Sequence, residues 1–184
     1  MDPRRRRHTT SGGGLGAACL DFCQGYTGSV TAMPLLQTIL TALEKARLEA
    51  VLIGAAAAAI HGAPVTTLDF DFMFRRTPLN LKKLKTFADE VGGVILRPYY
   101  PVSSLYRVVN ENTGLQADFM AVIHGVKSFN SLRSRAQRMT IGGRELLVAD
   151  LADIIASKKA AGRARDRAML EILQRTLDEK NAQS

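Results

Sequence analysis

The spacing of apolar residues divides the chain after residue 32 into alternating helices and strands. The strand signal is clearest at 68–74, where Phe70, Phe72 and Phe74 alternate with the other positions at period two. A helix is predicted over 34–48, where apolar residues recur at the spacing of one helix face: Leu35, Leu36, Ile39, Leu40 and Leu43. The further predicted helices are 54–61, 79–91, 150–161 and 163–177, and the further predicted strands are 49–53, 94–96, 104–109 and 115–122.

A hairpin completes this series over 138–148, with its turn at Gly142 and Gly143. Strands mixed with helices predict an α/β fold, in which helices flank a mixed β-sheet. We expect three segments: an α/β domain at 33–149, C-terminal helices packed on it at 150–180, and a different segment before them. Residues 1–32 lack periodicity and are rich in arginine and glycine, which predicts a disordered extension.

The extension leaves three interpretations open. Its run Arg4 to Arg7 would suit an arm that binds nucleic acid, because clustered arginines attract phosphate. Alternatively, natural translation begins at Met33, where the periodic sequence starts. A twin-arginine export signal fits less well, because no clear apolar segment follows the arginines. The two cysteines, Cys19 and Cys23, lack the spacing of a zinc site and are expected to be reduced thiols of a cytoplasmic protein.

Composition narrows the function classes. The chain has 184 residues and a formal net charge of +8, from 25 basic and 17 acidic residues. A basic protein favours a polyanionic partner such as RNA or nucleotide phosphates. The densest apolar run, 53–60, is alanine-rich and too short to cross a bilayer, so no membrane association is predicted.

The strongest candidates for metal-binding residues are two aspartates in the strand at 68–74. Alternation places Asp69 and Asp71 together on the face opposite the phenylalanines. Aspartate is depleted in strand interiors, and two like charges on one face repel each other unless a cation neutralises them. Carboxylate oxygens suit Mg²⁺, which proteins hold through a few carboxylates together with substrate phosphates. An exposed edge strand with two solvated aspartates is the alternative interpretation.

Two further features extend this candidate site. Asp118 lies in the apolar segment 115–122, and it can join Asp69 and Asp71 if the two strands are neighbours. Gly54 lies where a predicted strand passes into a helix, and backbone N–H groups at such a junction can bind phosphate. Together these features predict a nucleotide site with metal-binding carboxylates.

Gly54, the Asp69-Phe70-Asp71 strand and the later Asp118 resemble the nucleotidyltransferase fold of the DNA polymerase β superfamily. The closer resemblance is to minimal nucleotidyltransferases of the toxin–antitoxin and abortive-infection type. Those proteins carry a late helical Lys…Arg-x-x-Asp segment, and here the corresponding residues are Lys158, Arg163 and Asp166. The resemblance covers residues 33–180.

The resemblance implies roles for these residues. Asp69, Asp71 and Asp118 would hold two Mg²⁺ ions, and Asp118 would also help activate the acceptor hydroxyl. Gly54 and Ala55 would line the phosphates of the NTP. Lys158 would contact a phosphate, and Asp166 would orient Lys158 or Arg163 at the wall of the cleft.

The same resemblance implies a Mg²⁺-dependent transfer of a nucleoside monophosphate from an NTP to a hydroxyl. The acceptor would be an RNA or tRNA 3′ end, a protein hydroxyl or a small molecule, and a toxin would have a cognate antitoxin. Two positions depart from the family pattern: Ala55 replaces a glycine or serine, and Val65 stands where an arginine is common. They motivate the alternative of a non-catalytic binding or regulatory module.

Overall fold

The computed structural model describes residues 32–98 and 100–183. Apart from α4, its helices and strands follow the predicted order, and they confirm the α/β fold class. The helices are α1 (Ala32–Ala46), α2 (Gly54–Ile60), α3 (Pro78–Glu90), α4 (Phe129–Arg135), α5 (Leu151–Ala161) and α6 (Ala164–Ala182). The strands are β1 (Ala50–Ile53), β2 (Asp69–Phe74), β3 (Val94–Leu96), β4 (Tyr106–Asn110), β5 (Leu115–Met120), β6 (Gln137–Ile141) and β7 (Arg144–Val148).

The described strands form one mixed sheet in the order β3-β4-β5-β2-β1-β7-β6. Strand β2 lies near its centre, antiparallel to β1 and parallel to β5. Strands β6 and β7 form the predicted hairpin, and β7 pairs in parallel with β1. Because β1, β2 and β5 are adjacent, residues far apart in sequence meet at the middle of the sheet.

The two faces of β2 have different chemistry. Phe70, Phe72 and Phe74 are almost completely buried on one face. The Phe72 ring stacks on Phe119 of β5 with centroids 5.2 Å apart, and Phe119 also meets Phe87 of α3 at 5.0 Å. The opposite face carries the aspartates and lies toward α2, which contacts β2 and α5. The predicted separation of aromatic and acidic faces is therefore present.

Helix α5 has clear start and stop signals. The Asp150 side chain accepts a hydrogen bond from the Ala152 amide and caps the first turn. The helix ends at Gly162, whose φ of 62° lies in the left-handed region that glycine adopts at low cost. The following helix, α6, packs against α5, as expected of the predicted C-terminal pair.

The structure differs from the sequence prediction in two elements. Helix α4 was not predicted, and α6 extends to Ala182 rather than to residue 177. Helix α4 is short and mostly polar, and only Phe129 and Leu132 of its seven residues are buried. The predicted extension, with Cys19 and Cys23, lies outside the described residues apart from Ala32, which begins α1. No helix within 32–98 or 100–183 combines the length and apolar character needed to cross a bilayer.

Candidate active site

A row of four residues crosses the middle of the sheet. Asp71 of β2 is the register partner of Asp118 on β5 and of Ile53 on β1. Asp118 is in turn opposite Arg107 of β4. The prediction that the two strands carrying these aspartates are neighbours is therefore confirmed. Directly after Ile53 comes Gly54, the first residue of α2.

Asp71 is largely buried close to two other carboxylates and two basic side chains. Burial, then Asp118, then Asp69 raise the pKa of Asp71 from 3.8 to about 6, while Lys158 and Arg165 act in the opposite direction. An ionised carboxylate at this position is therefore only partly neutralised by the cations around it.

Gly54 fits closely against Asp71. A Cβ atom at Gly54 would lie 2.4 Å from Oδ2 of Asp71 and 3.2 Å from its Cγ. Gly54 also has a φ of 71°, in the left-handed region. Glycine is therefore required at this position for two reasons, the backbone conformation and the close approach of the Asp71 carboxylate. Gly54 is predicted from the sequence to bind phosphate, whereas its contact with Asp71 is seen only in the structure.

Asp118 is buried and forms a two-pronged ion pair with Arg107. The Arg107 Nε donates to Oδ1 at 2.8 Å and Nη2 donates to Oδ2 at 2.7 Å. Arg107 is not among the residues predicted for the site. A signal was present, because a hairpin joining the strands at 104–109 and 115–122 across the turn at 111–114 places residue 107 opposite residue 118.

The C-terminal helices bring a second buried ion pair to the site. Lys158 of α5 donates to Oδ1 of Asp166 on α6 at 3.1 Å, and their side chains are only 13% and 8% exposed. Of the two partners predicted for Asp166, the structure selects Lys158. Arg163 occupies the N-cap position of α6, makes no side-chain capping hydrogen bond there and is exposed. Arg165, which is not among the predicted site residues, lines the same cavity as Asp71 and lowers the pKa of Asp71.

One cavity of about 740 Å³ collects these side chains. All eight residues predicted for the site line it: Gly54, Ala55, Asp69, Asp71, Asp118, Lys158, Arg163 and Asp166. Arg107, Arg165 and His124 line it as well. Val65 instead packs against the hydrophobic core. The geometry brings the predicted residues together, while their individual roles stay predictions.

The carboxylates that line the cavity can supply part of the coordination shell of a metal ion. Within the described residues, no group of three histidine, cysteine, aspartate or glutamate side chains is arranged to hold a metal ion. Asp69 and Asp71 remain as two carboxylates on one strand face that lines the cavity. Mg²⁺ is commonly bound through one or two carboxylates, with substrate phosphates and water completing its shell. This pair therefore fits an ion that arrives with a nucleotide.

Comparison with protein families gives a direct assignment. Residues 33–183 match the model of the family described as nucleotidyl transferase of unknown function (DUF2204). The chain belongs to this family. The match spans α1 to α6 and so includes every residue of the cavity described above. No curated protein sequence matches the chain.

Solved structures show the same fold. ANT(2″)-Ia in complex with adenylyl-2″-tobramycin is 14% identical, with a TM-score of 0.57 over 84% of this chain and 94% of its own. The lincosamide antibiotic adenylyltransferase LnuA, bound to lincomycin, is 13% identical, with a TM-score of 0.56 over 77% and 95% of the two chains. An antigenic nucleotidyltransferase-like protein from Paracoccidioides brasiliensis is 14% identical, with a TM-score of 0.53 over 82% and 77%. At this identity the likeness establishes the nucleotidyltransferase fold.

Proposed function

We propose that this nucleotidyl transferase moves a nucleoside monophosphate from an NTP to a hydroxyl group in a Mg²⁺-dependent reaction. The observation that carries the proposal is the shared cavity, which is lined by Asp69 and Asp71 and also by Lys158, Arg163 and Arg165. This lining suits a metal–triphosphate complex, because the carboxylates can bind the metal ion and the basic side chains can bind the phosphates.

The chain's own residues supply the positioning. Asp69 and Asp71 hold the Mg²⁺, which when bound neutralises charge on the phosphates during transfer. Lys158 and Arg163 bind phosphate oxygens, and the backbone at Gly54 and Ala55 lines the phosphate end of the cavity. Asp166 holds Lys158 in place through the buried ion pair.

The transfer itself is a displacement at the α-phosphorus. The acceptor oxygen forms a bond to the α-phosphorus as the bond to the bridging oxygen breaks, and pyrophosphate leaves. Asp118 lies beside Asp71 in the sheet and accepts the proton of the acceptor hydroxyl. Each of its oxygens accepts only one hydrogen bond from Arg107, so lone pairs remain for this contact.

The favoured acceptor is the 3′ end of an RNA, and of tRNA in particular, because the chain carries a net charge of +8. A protein hydroxyl and a small molecule are the other acceptors to be tested. LnuA, of the same fold, is a lincosamide antibiotic adenylyltransferase, and ANT(2″)-Ia was solved with adenylyl-2″-tobramycin, so small-molecule acceptors must also be tested. A role as the toxin of a toxin–antitoxin pair would require that expression slow growth and that a cognate antitoxin reverse it.

The second candidate function is a non-catalytic binding or regulatory module of the same fold. Ala55 favours it, because its methyl group cannot replace a hydroxyl contact to phosphate. Val65 favours it less, because Arg107, Arg163 and Arg165 already supply guanidinium groups to the cavity. We therefore retain catalysis as the main proposal.

The test is transfer of label from each of four α-labelled NTPs, with Mg²⁺, to total RNA, total protein and a panel of aminoglycosides and lincosamides. The Asp69→Asn/Asp71→Asn variant is the matched control, because it keeps side-chain shape and removes the charges. We expect label on one acceptor class with wild-type protein and none with the control. Wild-type protein that binds NTP and transfers nothing would favour the non-catalytic module.

A further inference from the structure

We infer that Arg165 and Arg167, near the start of α6, form an RNA-binding surface at the edge of the cavity. This surface binds backbone phosphates next to the 3′ hydroxyl that receives the nucleotide. The inference rests on the proposed function and deepens it, because it names the part of the protein that recognises the acceptor.

The first observation is an excess of positive charge where α5 passes into α6. Residues 158–167 contain five basic residues and a single acidic one, Asp166. Asp166 is buried, and its carboxylate accepts a hydrogen bond from Lys158. Arg165 and Arg167 are exposed. The exposed surface of this segment is therefore positive, and its own one carboxylate is already engaged.

The second observation is that many other arginines are paired with carboxylates. Ion pairs of this kind are formed by Arg107, Arg133, Arg135, Arg138, Arg144 and Arg175. Within 32–98 and 100–183, Arg165 and Arg167 form none. Their guanidinium groups therefore keep their charge for an anionic partner, and phosphate is the anion that a guanidinium binds with two parallel hydrogen bonds.

The third observation is the position of the two arginines. Arg165 lines the cavity and is close enough to Asp71 to lower its pKa. Arg167 is not part of the cavity lining, and its Nη1 donates to the carbonyl oxygen of Gly162, the residue that ends α5. Positive charge therefore continues from the wall of the cavity to the turn between the two helices. A phosphate chain that leaves the cavity over this turn meets both arginines.

The fourth observation is that these arginines do not serve the stability of α6. The N-terminus of a helix carries a partial positive charge, so basic side chains are favourable at the other end. Helix α6 nevertheless begins with Arg163 at its N-cap position and carries Arg165 and Arg167 directly after it. Bound phosphates would compensate both the guanidinium groups and the helix terminus.

The test is equilibrium binding of fluorescently labelled total tRNA to the full chain, measured by anisotropy over a range of salt concentrations. We expect Arg167→Gln to weaken binding by about threefold to tenfold and to lower the slope of log affinity against log salt by about 1. Arg165→Gln/Arg167→Gln should lower both quantities further. Arg167→Lys keeps the charge and should keep most of the affinity. The arginine run at 4–7 is present in every variant, so differences between variants report on α6.

Lys82 and Lys85 of α3 provide a control of equal charge. Helix α3 packs through Phe87 on the aromatic face of the sheet, opposite the cavity, and both lysines are exposed. Lys82→Gln/Lys85→Gln removes two positive charges, as Arg165→Gln/Arg167→Gln does, yet should change the tRNA affinity by less than about twofold. Equal losses in the two double variants would overturn the inference, because binding would then follow net charge alone.

A separate measurement distinguishes this inference from the proposed function. Binding of Mn²⁺ with a non-hydrolysable NTP analogue, followed by electron paramagnetic resonance, reports on the metal–nucleotide site, since Mn²⁺ replaces Mg²⁺ at oxygen ligands. Arg167→Gln should bind Mn²⁺ and the analogue as wild type does, and should transfer nucleotide to tRNA with a raised KM.

The two failures have different signatures. Wild-type protein that binds Mn²⁺ and the analogue but not tRNA would overturn the RNA-binding surface and leave nucleotide transfer to a protein or a small molecule in place. Wild-type protein that binds tRNA through Arg167 but neither Mn²⁺ nor the analogue would overturn the proposed function and leave the surface as an RNA-binding site.

Discussion

The contact between Gly54 and Asp71 allows a prediction whose size follows from the structure. In Gly54→Ala the new Cβ would lie 2.4 Å from Oδ2 of Asp71, where ordinary contact begins at about 3.4 Å. The carboxylate must therefore retreat by about 1.0 Å, which is 3.4 minus 2.4. Displacing a reacting or metal-binding group by about 1 Å costs on the order of 100-fold in rate. The positive φ adds about 1–2 kcal/mol of destabilisation.

Gly114 offers a matched control for this prediction. It has the same φ of 71°, but a Cβ there would meet nothing within 4 Å. Gly114→Ala should therefore lose about the same 1–2 kcal/mol in a urea unfolding experiment and keep wild-type transfer activity. Gly54→Ala should lose both stability and activity, with weaker Mn²⁺ binding. Equal activity of the two variants would refute the idea that Gly54 is required by Asp71.

Three further predictions concern single residues. Burial and the neighbouring carboxylates raise the pKa of Asp71 from 3.8 to about 6. The metal-free folded protein therefore binds a proton on Asp71 more strongly than the unfolded chain does. The free energy of unfolding should accordingly fall as the pH rises from about 4 to about 6. Asp71→Asn should accordingly stabilise the metal-free protein at pH 7 by about 1–3 kcal/mol in urea unfolding while abolishing transfer, and a destabilised variant would contradict this. Asp166→Asn removes the negative charge beside the buried Lys158 and should cost about 3 kcal/mol, with the Lys158→Met/Asp166→Leu variant recovering most of the loss. Arg47 has a φ of 49° just after α1, so Arg47→Gly should raise the free energy of unfolding by about 1 kcal/mol, and no gain would show that the backbone there is unstrained.

The order of the elements other than α4 could be predicted because each of them was marked by its own sequence. Period-two alternation in β2 fixed both the buried aromatic face and the shared face of Asp69 and Asp71. The predicted range 150–161 lies within one residue of α5, and the structure shows Asp150 and Gly162 at its two cap positions. These signals are local, and a single sequence contains them completely.

The parts that escaped prediction depend on pairing between distant segments. Arg107 reaches Asp118 only because β4 and β5 form a hairpin in one particular register. The close approach of Gly54 to Asp71 depends equally on the register of β1 with β2. Helix α4 was missed for a different reason, since Phe129 and Leu132 are too few to establish a helical period.

The alternation in β2 also ties correct folding to the active site. A shift of one residue in the pairing of β2 would turn every side chain to the other face. Three buried phenylalanines would then enter the cavity, and both aspartates would be forced against α3 and the aromatic core. Such a misaligned chain would lose the burial of three aromatic rings, each contributing about 1.5–3 kcal/mol. Burial of the β2 phenylalanines thus disfavours the shifted pairing, and that same shift would remove Asp69 and Asp71 from the cavity.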